Sequence, residues 1–462
     1  MSSSITIHPS SYRDPSGFIF IKDGIIYRQV NNIFKDNFDY FISSGFYKDM
    51  AGRGLIVKHE PITENLTQTE DCYLTLKPEA IPFISCPCEW SFDMLKDAAI
   101  LTLQLLKESI KYGLVLKDAT PYNIQFIGSS PVFIDSLSFE KYNEKEPWIA
   151  YRQFCESFLS PLLLSHYTQQ SLQQLMLAYP EGIPLAVTKS LLPWRSKLSL
   201  HCYLHIHLHA NINKSRATEK GKIRFTKQKL INLTDSLEKL VQKTFLRPHR
   251  TAWSAYYDEA SKRNDYLASK KEIIISWLNE IANIRTAADL GSNDGQFSKL
   301  LAEKNISIVS TDFDPECINR LYKELKLANS KRILPLIIDL ANPTPAIGVN
   351  NQERNSFTDR LNTDIVLALA LVHHLAIGRN MPFEYIAQLL TKVSRQLIIE
   401  FVPKEDEKVR LMLSARKDIF SHYYIDEFEK AFGRYFSIEK KQTIASSGRT
   451  LYLMKRNEDI AD

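Results

Sequence analysis

The chain has 462 residues, which is long enough for two or more domains with separate hydrophobic cores. Hydrophobic residues make up 44% and charged residues 24% of the sequence, which is ordinary for a soluble globular protein. The formal net charge of +5 is modest for this length, so charge alone does not indicate a nucleic-acid-binding protein.

The N-terminus and the hydropathy pattern favour a protein that is neither secreted nor inserted in a membrane. No basic region followed by an apolar stretch begins at Met1, and no run of about 18 apolar residues occurs. The six cysteines are scattered, and only Cys86-Pro87-Cys88 suggests a redox pair, which no further thiol pattern supports. We therefore expect a reduced, cytoplasmic protein.

The first part of the chain begins with strand patterns and continues with one long helix pattern. Residues 17–30 predict a β-hairpin, because Lys22-Asp23-Gly24 separates two runs of β-branched and aromatic residues. Ser91 has the side chain of a helix N-cap, an apolar stripe follows at helical spacing, and Gly113 ends it. We expect an α+β N-terminal domain over residues 1–210.

Three polar residues follow that helix. Asp118 and Asn123 are five positions apart, and Asp135 ends a strand pattern 12 positions further on. This resembles the catalytic loop and metal-binding segment of protein-kinase-like and aminoglycoside-phosphotransferase-like folds. The resemblance implies that Asp118 orients or deprotonates an acceptor, while Asn123 and Asp135 hold magnesium.

The N-terminal domain also departs from those families. Leu116-Lys117 stands where they have His-Arg or His-Gly, and the sequence shows neither a clear glycine-rich phosphate loop nor a Val-Ala-Ile-Lys strand. A kinase-like scaffold without activity therefore stays an alternative. So does a chance loop in which Asp118 and Asn123 cap turns.

The middle of the chain predicts short helices and then a linker. Residues 148–209 are rich in large apolar residues and interrupted by prolines. The histidines at their end have spacings that would place some of them on one face, but no acid or cysteine cluster accompanies them, so we predict no metal site. The linker, residues 211–229, carries seven positive charges against Glu219 alone. An electrostatic contact with an acidic partner or substrate is the alternative to a solvated linker.

The C-terminal part, residues 230–462, alternates strand and helix patterns. Strands are predicted at 284–289, 306–311, 333–338, 364–371 and 396–402, followed by a final pair at 435–441 and 449–456. This order predicts a seven-stranded, doubly wound (Rossmann-like) α/β sheet with helices on both faces. Ligands bind such sheets at the carboxyl ends of the strands, where the candidate site residues lie.

Residues 284–300 carry the strongest functional signal. A strand pattern ends at Asp289, a turn carries Gly291 and Gly295, and an amphipathic run starts at Gln296. Such a turn brings backbone N–H groups against a nucleotide-like ligand. Asp312 lies 21 residues beyond Gly291, close to the spacing of an acid that accepts hydrogen bonds from ribose. Because Asp289 and Asp294 would repel a pyrophosphate, a cationic ligand such as S-adenosylmethionine (SAM) suits this turn better.

The sequence here resembles the class I SAM-dependent methyltransferases. Asp289-Leu-Gly-Ser-Asn-Asp-Gly295 is similar to their glycine-rich first motif, with Asn293 where many members have glycine. Thr311-Asp-Phe-Asp-Pro315 is similar to the second motif and Ile337-Ile-Asp-Leu340 to the third, which contacts adenine. The fourth and fifth strands are matched by Leu367-Ala-Leu-Ala-Leu-Val-His-His-Leu375 and Leu397-Ile-Ile-Glu-Phe-Val-Pro403. The sequences of these two segments most resemble the nodulation-protein (NoeA-type) branch.

The resemblance implies SAM as the cofactor. The residues implied to bind it are Asp289, Gly291, Ser292, Asn293, Asp294, Gly295, Asp312, Phe313, Asp339, Leu340 and Ala370. Members of this class often have a leading segment whose aromatic residues fold over the cofactor, a position that Tyr256 and Tyr257 match. Packing of these tyrosines between a helix and the sheet is equally consistent with the sequence.

Three residues are candidates for catalysis. His373 and His374 follow the fourth strand, where the reacting face is expected, and histidine is a base near neutral pH. Alternatively, one histidine caps the next helix and the other touches the cofactor. Glu400, after the fifth strand, is a base candidate or a structural acceptor.

We therefore expect a SAM-dependent methyltransferase whose N-terminal domain binds or positions the acceptor. A small molecule or glycan is favoured over nucleic acid as acceptor, without a membrane partner. Two alternatives stay open: a phosphotransferase or dual kinase-like/methyltransferase enzyme that uses Asp118, Asn123 and Asp135, and a non-catalytic SAM-binding module.

Overall fold

The computed structural model describes residues 5–211, 225–249, 264–414 and 417–458. The chain divides into two compact units. Unit 1 is Met1–Arg247 together with Ala346–Arg354, and unit 2 is Pro248–Pro345 together with Asn355–Asp462. The units therefore divide after Arg247, whereas the sequence suggests a boundary at residues 211–229, most of which lie outside the described residues.

Unit 1 contains a five-stranded antiparallel sheet and two small two-stranded ones. The large sheet has the order β1-β2-β3-β5-β4, and β6 pairs with β9 and β7 with β8. The strands are Ile5–Ile7 (β1), Gly17–Lys22 (β2), Ile25–Asn31 (β3), His59–Ile62 (β4), Cys72–Pro78 (β5), Leu114–Leu116 (β6), Ile124–Ile127 (β7), Ser130–Phe133 (β8) and Phe139–Lys141 (β9). The predicted hairpin at residues 17–30 is confirmed, and Asp23 and Gly24 provide its left-handed turn with φ of 53° and 76°.

The helices of unit 1 are Lys35–Ser43 (α1), Phe46–Gly52 (α2), Phe92–Lys111 (α3), Tyr151–Phe154 (α4), Ser160–Thr168 (α5), Leu175–Ala178 (α6), Leu185–Leu191 (α7), Leu200–Cys202 (α8) and Lys227–Lys243 (α9). The longest of them, α3, packs against α5 and α9. α3 begins after Ser91 and ends before Gly113, as predicted, because its apolar stripe is buried along the whole length. α9 lies in unit 1, where Lys107 of α3 forms ion pairs with Asp235 and Glu238.

Unit 2 confirms the predicted seven-stranded sheet. Its strands are Thr286–Leu290 (β10), Ser307–Asp312 (β11), Ile333–Ile337 (β12), Thr363–Ala368 (β13), Ser394–Phe401 (β14), Phe436–Thr443 (β15) and Thr450–Arg456 (β16). The order is β12-β11-β10-β13-β14-β16-β15, and β16 pairs antiparallel with both β14 and β15, while the other pairs are parallel. Because the chain starts at the central β10 and winds outward in both directions, the topological switch point lies between β10 and β13.

Helices connect these strands and build the core of unit 2. They are Asn264–Glu280 (α10), Gln296–Glu303 (α11), Pro315–Leu327 (α12), Phe357–Arg360 (α13), Phe383–Val393 (α14), Glu407–Ser414 (α15) and Ile425–Phe432 (α16). Ile274 and Trp277 of α10 belong to one apolar cluster with Ile308, Leu367 and Ile398 of the sheet. This packing holds α10, the helix before β10, against the sheet of unit 2.

Candidate functional site

The turn after β10 has the geometry that the glycine pattern predicts. Gly291, Asn293 and Gly295 all have left-handed backbone conformations, with φ of 76°, 52° and 71°. The N–H groups of Gly291 and Ser292 donate to the carbonyl of Thr311 at 2.8 and 2.9 Å, which ties the turn to the end of β11. Asparagine tolerates this conformation better than most residues, which explains how Asn293 replaces a glycine.

Asp312 lies directly beside this turn. Its Oδ2 accepts the N–H of Asn293 and its Oδ1 accepts the N–H of Asp314, both at 2.9 Å. The side chain is 7% exposed, and burial raises its pKa to about 6. A carboxylate has about four acceptor positions, so these backbone donors leave room for a further donor from a ligand.

A cavity of about 950 Å³ opens at the switch point of the sheet. Eight of the candidate residues line it: Gly291, Asn293, Asp312, Phe313, Asp339, Leu340, Ala370 and His374. They come from the carboxyl ends of β10, β11, β12 and β13, where parallel strands meet at one edge. The volume is in the range of small-molecule and cofactor sites.

The other residues of the first motif lie behind the cavity wall. Asp289 accepts the hydroxyl of Ser298 at 2.6 Å and is 2% exposed, and burial raises its pKa to about 6. Its carboxylate therefore holds the start of α11. A Cβ on Gly295 would lie 2.9 Å from Leu321, so this glycine allows α11 to approach α12. Ser292 and Asp294 do not line the cavity either, and burial raises the pKa of Asp294.

Asp339 forms a second polar group on the wall. Its Oδ1 accepts the N–H of Ala341, and its Oδ2 pairs with Arg379, each at 2.9 Å. Phe313 is 45% exposed on the same wall, while Leu340 is buried. This part of the cavity can hold a flat, partly polar ring between apolar side chains.

The segment after β13 turns sharply and places the two histidines differently. Ala370 has a φ of 50°, a strained conformation for alanine. His374 lines the cavity, and burial lowers its pKa to about 4. His373 is fully buried behind it, with the ring centroids 3.9 Å apart, and its ring nitrogens have no hydrogen-bond partner among the described residues. His374 is thus neutral near pH 7 and is the histidine that faces the cavity, and its lowered pKa makes it a weak proton acceptor.

Glu400 is fully buried in an ion-pair network. It accepts Lys270 Nζ and the Tyr266 hydroxyl at 2.6 Å each and Arg449 Nη1 at 3.3 Å. Burial alone would raise its pKa, but Lys270 and Arg449 outweigh burial and lower the pKa to about 2. Both oxygens are occupied, so the geometry favours the structural acceptor over the base.

Several cavity residues were not among the sequence candidates. Lys270, Arg449 and Tyr266 line it through the network just described, and Leu411 and Met412 of α15 line another part. No local pattern singles out Lys270 or Arg449, because other polar residues, such as Lys271 and Ser447, stand near each of them. Tyr256 and Tyr257, for which the sequence leaves cofactor contact and helix–sheet packing open, lie outside the described residues.

Unit 1 brings its own three candidates together. Asn123 Nδ2 donates to Asp118 Oδ2 and to Ser138 Oγ at 3.2 Å each, and Ser138 Oγ donates to Asp135 Oδ2 at 2.6 Å. Burial and the nearby Asp135 raise the pKa of Asp118. Whether unit 1 is kinase-like stays a prediction.

Neither the histidine-rich segment nor any other described part of the chain gathers three or more His, Cys, Asp or Glu side chains for a metal ion. His205 instead bonds to the Tyr151 hydroxyl and to Ser236 Oγ, each at 2.8 Å. Within the described ranges, every helix is too short or too polar to cross a bilayer.

Comparison with known proteins adds to this geometry. No family model matches the chain. It is 34% identical over 472 aligned residues to nodulation protein NoeA of Rhizobium meliloti (strain 1021), covering 97% of this chain and 96% of that protein.

Solved structures give only weak likenesses. Magnesium protoporphyrin IX methyltransferase ChlM of Synechocystis PCC 6803, with bound SAH, is 18% identical over 42% of this chain and 86% of its own, with a TM-score of 0.30. N-methyltransferase NodS of Bradyrhizobium japonicum WM9 is 11% identical over 42% and 98%, with a TM-score of 0.32. The bifunctional kinase-methyltransferase WbdD is 19% identical over 42% and 39%, with a TM-score of 0.29. Scores this low support no conclusion about this chain.

Fold and site together define a protein whose second unit is a doubly wound, Rossmann-like α/β sheet, with a cavity lined by acidic and basic side chains at its switch point. Within that class, the chain belongs to the NoeA nodulation-protein family, because the identity extends over nearly the whole of both sequences.

Proposed function

We propose that unit 2 binds SAM and transfers its methyl group to a small-molecule or glycan acceptor. The observation that carries this proposal is the convergence of the motif residues on one cavity. The glycine turn, Asp312, Asp339 and His374 are distant in sequence, yet all four line it. The motif resemblance and the cavity therefore point to the same residues independently.

The charges around the turn support SAM over a phosphate-bearing nucleotide. Asp289, Asp294 and Asp312 place three carboxyl groups in or beside it, and the pKa of each is raised by burial. A pyrophosphate there would meet repulsion, whereas a cationic sulfonium and ammonium would be attracted. The buried hydroxyls of Ser292 and Thr311, which lie next to the turn but do not line the cavity, have no hydrogen-bond partner among the described residues.

The residues present fit this cofactor. Asp312 would accept the ribose hydroxyls, and Phe313, Asp339 and Leu340 would enclose the adenine. The left-handed turn at Gly291 and Asn293 would lie against the methionine part. Bound SAM would supply an electrophilic methyl group. The chain itself would contribute orientation of the acceptor, with the neutral ring of His374 as a hydrogen-bonding group and weak proton acceptor on the cavity wall.

The acceptor would lie on the other side of the cavity. Leu411 and Met412 of α15 form an apolar wall there, and Ser446 and Ser447 add hydroxyls. Incubation of the protein with labelled SAM and fractionated metabolite extracts tests the proposal. We expect label in an extractable small molecule, and label only in protein or nucleic acid would overturn the acceptor class.

Replacement of Asp312 by alanine should weaken SAM binding at least about tenfold. A hydrogen bond from a ribose hydroxyl to a carboxylate contributes about 1.5–3 kcal/mol, and about 1.4 kcal/mol corresponds to a factor of ten. Calorimetric titration measures the change. Asp364→Ala is the matched control, because Asp364 also accepts two backbone N–H groups but lies outside the cavity. Equal affinities of the two variants would remove Asp312 from the site.

SAM affinity should also fall below about pH 6. Asp312 has a raised pKa of about 6, so it is a carboxylate above this pH and becomes protonated below it. The protonated group accepts hydrogen bonds less well, and we expect about tenfold weaker binding at about pH 5 than at about pH 7. Asp312→Asn should flatten this dependence, and what persists would report Asp289, whose pKa is also about 6. A wild-type affinity independent of pH over this range contradicts the assignment.

Two measurements separate the alternatives. Tight SAM binding without turnover on any extract fraction would favour a non-catalytic SAM-binding module. Magnesium-dependent ATP turnover that is lost in Asp118→Asn and Asp135→Asn would add a phosphotransferase.

A further inference from the structure

The acidic pair in unit 1 carries an inference that does not depend on methyl transfer. Asp118 and Asp135 are joined through Asn123 and Ser138 by hydrogen bonds of 2.6 to 3.2 Å. Two carboxylates, a carboxamide and a hydroxyl form a set of oxygen donors that a divalent cation can use. Burial raises the pKa of Asp118 and the charge of Asp135 raises it further, because the two carboxylates repel each other. A positive countercharge or a proton relieves this repulsion.

Arg28 of β3 provides a positive countercharge to Asp135, and Lys117, near Asp118, partly offsets the rise in the pKa of that carboxyl group. Arg28 Nη2 lies 2.6 Å from Asp135 Oδ1, and both side chains are 15% exposed. Asp135 Oδ1 also accepts the N–H of Leu137, and Asp135 Oδ2 accepts Ser138 Oγ. Both oxygens of Asp135 are thus already engaged, one of them by a permanently charged guanidinium.

The surroundings keep Arg28 in this position. Arg28 Nε is buried without a hydrogen-bond partner among the described residues, so the ion pair with Asp135 is the strong polar contact that holds the guanidinium. Arg28 is fixed by its strand, since it pairs with Ile19 of β2 on one side and Leu76 of β5 on the other. If the guanidinium moved away from Asp135, both charges would be poorly compensated at a largely buried position.

We propose that Arg28 takes the place of a divalent cation in the Asp118–Asn123–Asp135 cluster, so that unit 1 keeps these carboxylates together without metal. A cation bound there would face the guanidinium at short range, and the repulsion would oppose its binding. Metal-bridged phosphoryl transfer needs such a cation. The cluster is therefore held together without metal, and the side chain that excludes the cation is Arg28.

The test is Mn²⁺ binding to the full-length chain. Electron paramagnetic resonance measures the binding directly, and the melting temperature is compared with and without Mn²⁺. Arg28→Gln removes the charge and should create a Mn²⁺ site at least about tenfold tighter than any in the wild type. The gain should vanish in Arg28→Gln/Asp135→Asn. Arg28→Lys, which keeps the charge, should behave like the wild type. Arg152→Gln is the matched control, because it removes an arginine from the ion pair with Glu156 elsewhere in unit 1.

Two results would overturn the proposal. One is Mn²⁺ binding by the wild type that is lost in Asp118→Asn or Asp135→Asn, which would show that Arg28 does not keep the cation out. The other is a folded Arg28→Gln variant with no gain in Mn²⁺ binding or in melting temperature. Arg28→Met, which has a long uncharged side chain, replaces Arg28→Gln if the latter does not fold, and the wild-type measurement stands in either case.

Discussion

The Gly291→Val variant should lose SAM binding by at least about a hundredfold while unit 1 stays folded. Gly291 has a φ of 76°, a conformation that a β-branched residue adopts only with strain. A Cβ at this position would also lie 3.2 Å from Leu371 Cδ1 and would stand on the cavity wall. Valine would therefore change the turn or occupy ligand space. Calorimetric titration with SAM measures the effect, and circular dichroism monitors the fold.

Gly24→Val is the matched control for backbone strain. Gly24 has the same φ of 76°, but a Cβ there would meet nothing within 4 Å. It lies in the hairpin of unit 1, so its replacement should lower stability without changing SAM affinity. Wild-type affinity in Gly291→Val would show that this turn does not contact the ligand.

Glu400→Ala should destabilise the protein by about 3–5 kcal/mol, the usual effect of removing one partner of a buried ion pair. Lys270 and Arg449 are 3% and 4% exposed, and Lys270 would lose its carboxylate partner altogether. Arg449 would keep Asp406, which it contacts at 2.8 Å. Urea unfolding measures the change, and the double variant Glu400→Leu/Lys270→Met should cost less than Glu400→Ala because it leaves no unpaired lysine.

Two further observations check this expectation. Glu324→Ala is the surface control, because Glu324 pairs with Lys299 at 2.7 Å but its side chain is 59% exposed, and we expect a loss of less than about 1 kcal/mol.

The stability that Glu400 contributes should depend on pH. The pKa of Glu400 is lowered to about 2, so its contribution to the free energy of unfolding is present above the unfolded value of about 4.5 and is lost as the pH falls from there through about 2. A Glu400→Ala variant as stable as wild type that loses only turnover would instead support a catalytic base.

The strands and the glycine turn of unit 2 were predictable because their signals are local. Each predicted strand overlaps an observed one, with ends displaced by at most a few residues. Alternation of strand and helix implies a parallel sheet, and the left-handed turn requires glycine or asparagine at known positions. The same local rules predicted the hairpin at Asp23-Gly24.

The roles of adjacent residues were harder to predict. His373 and His374 differ by one position, yet one lines the cavity and the other is fully buried. Successive residues of a helical turn point about 100° apart, so a small change in where the turn begins decides which histidine faces the cavity. Glu400 was ambiguous for a similar reason, since only its partners distinguish a base from a structural acceptor.

The sequence by itself determined the sheet of unit 2, the turn at Gly291–Gly295 and the place of Asp312, because backbone conformation and hydrophobic periodicity depend on neighbouring residues. Only the tertiary structure decided the partners of the buried charges. Lys270 and Glu400 are 130 positions apart, and the pairing of Arg28 with Asp135 joins strand β3 to the segment after β8. The tertiary structure also places Ala346–Arg354 in unit 1, although this segment lies within the sequence of unit 2. Such pairings form because an unpaired buried charge is costly, so each buried charge needs an opposite charge nearby. The local sequence does not specify which distant residue supplies that charge.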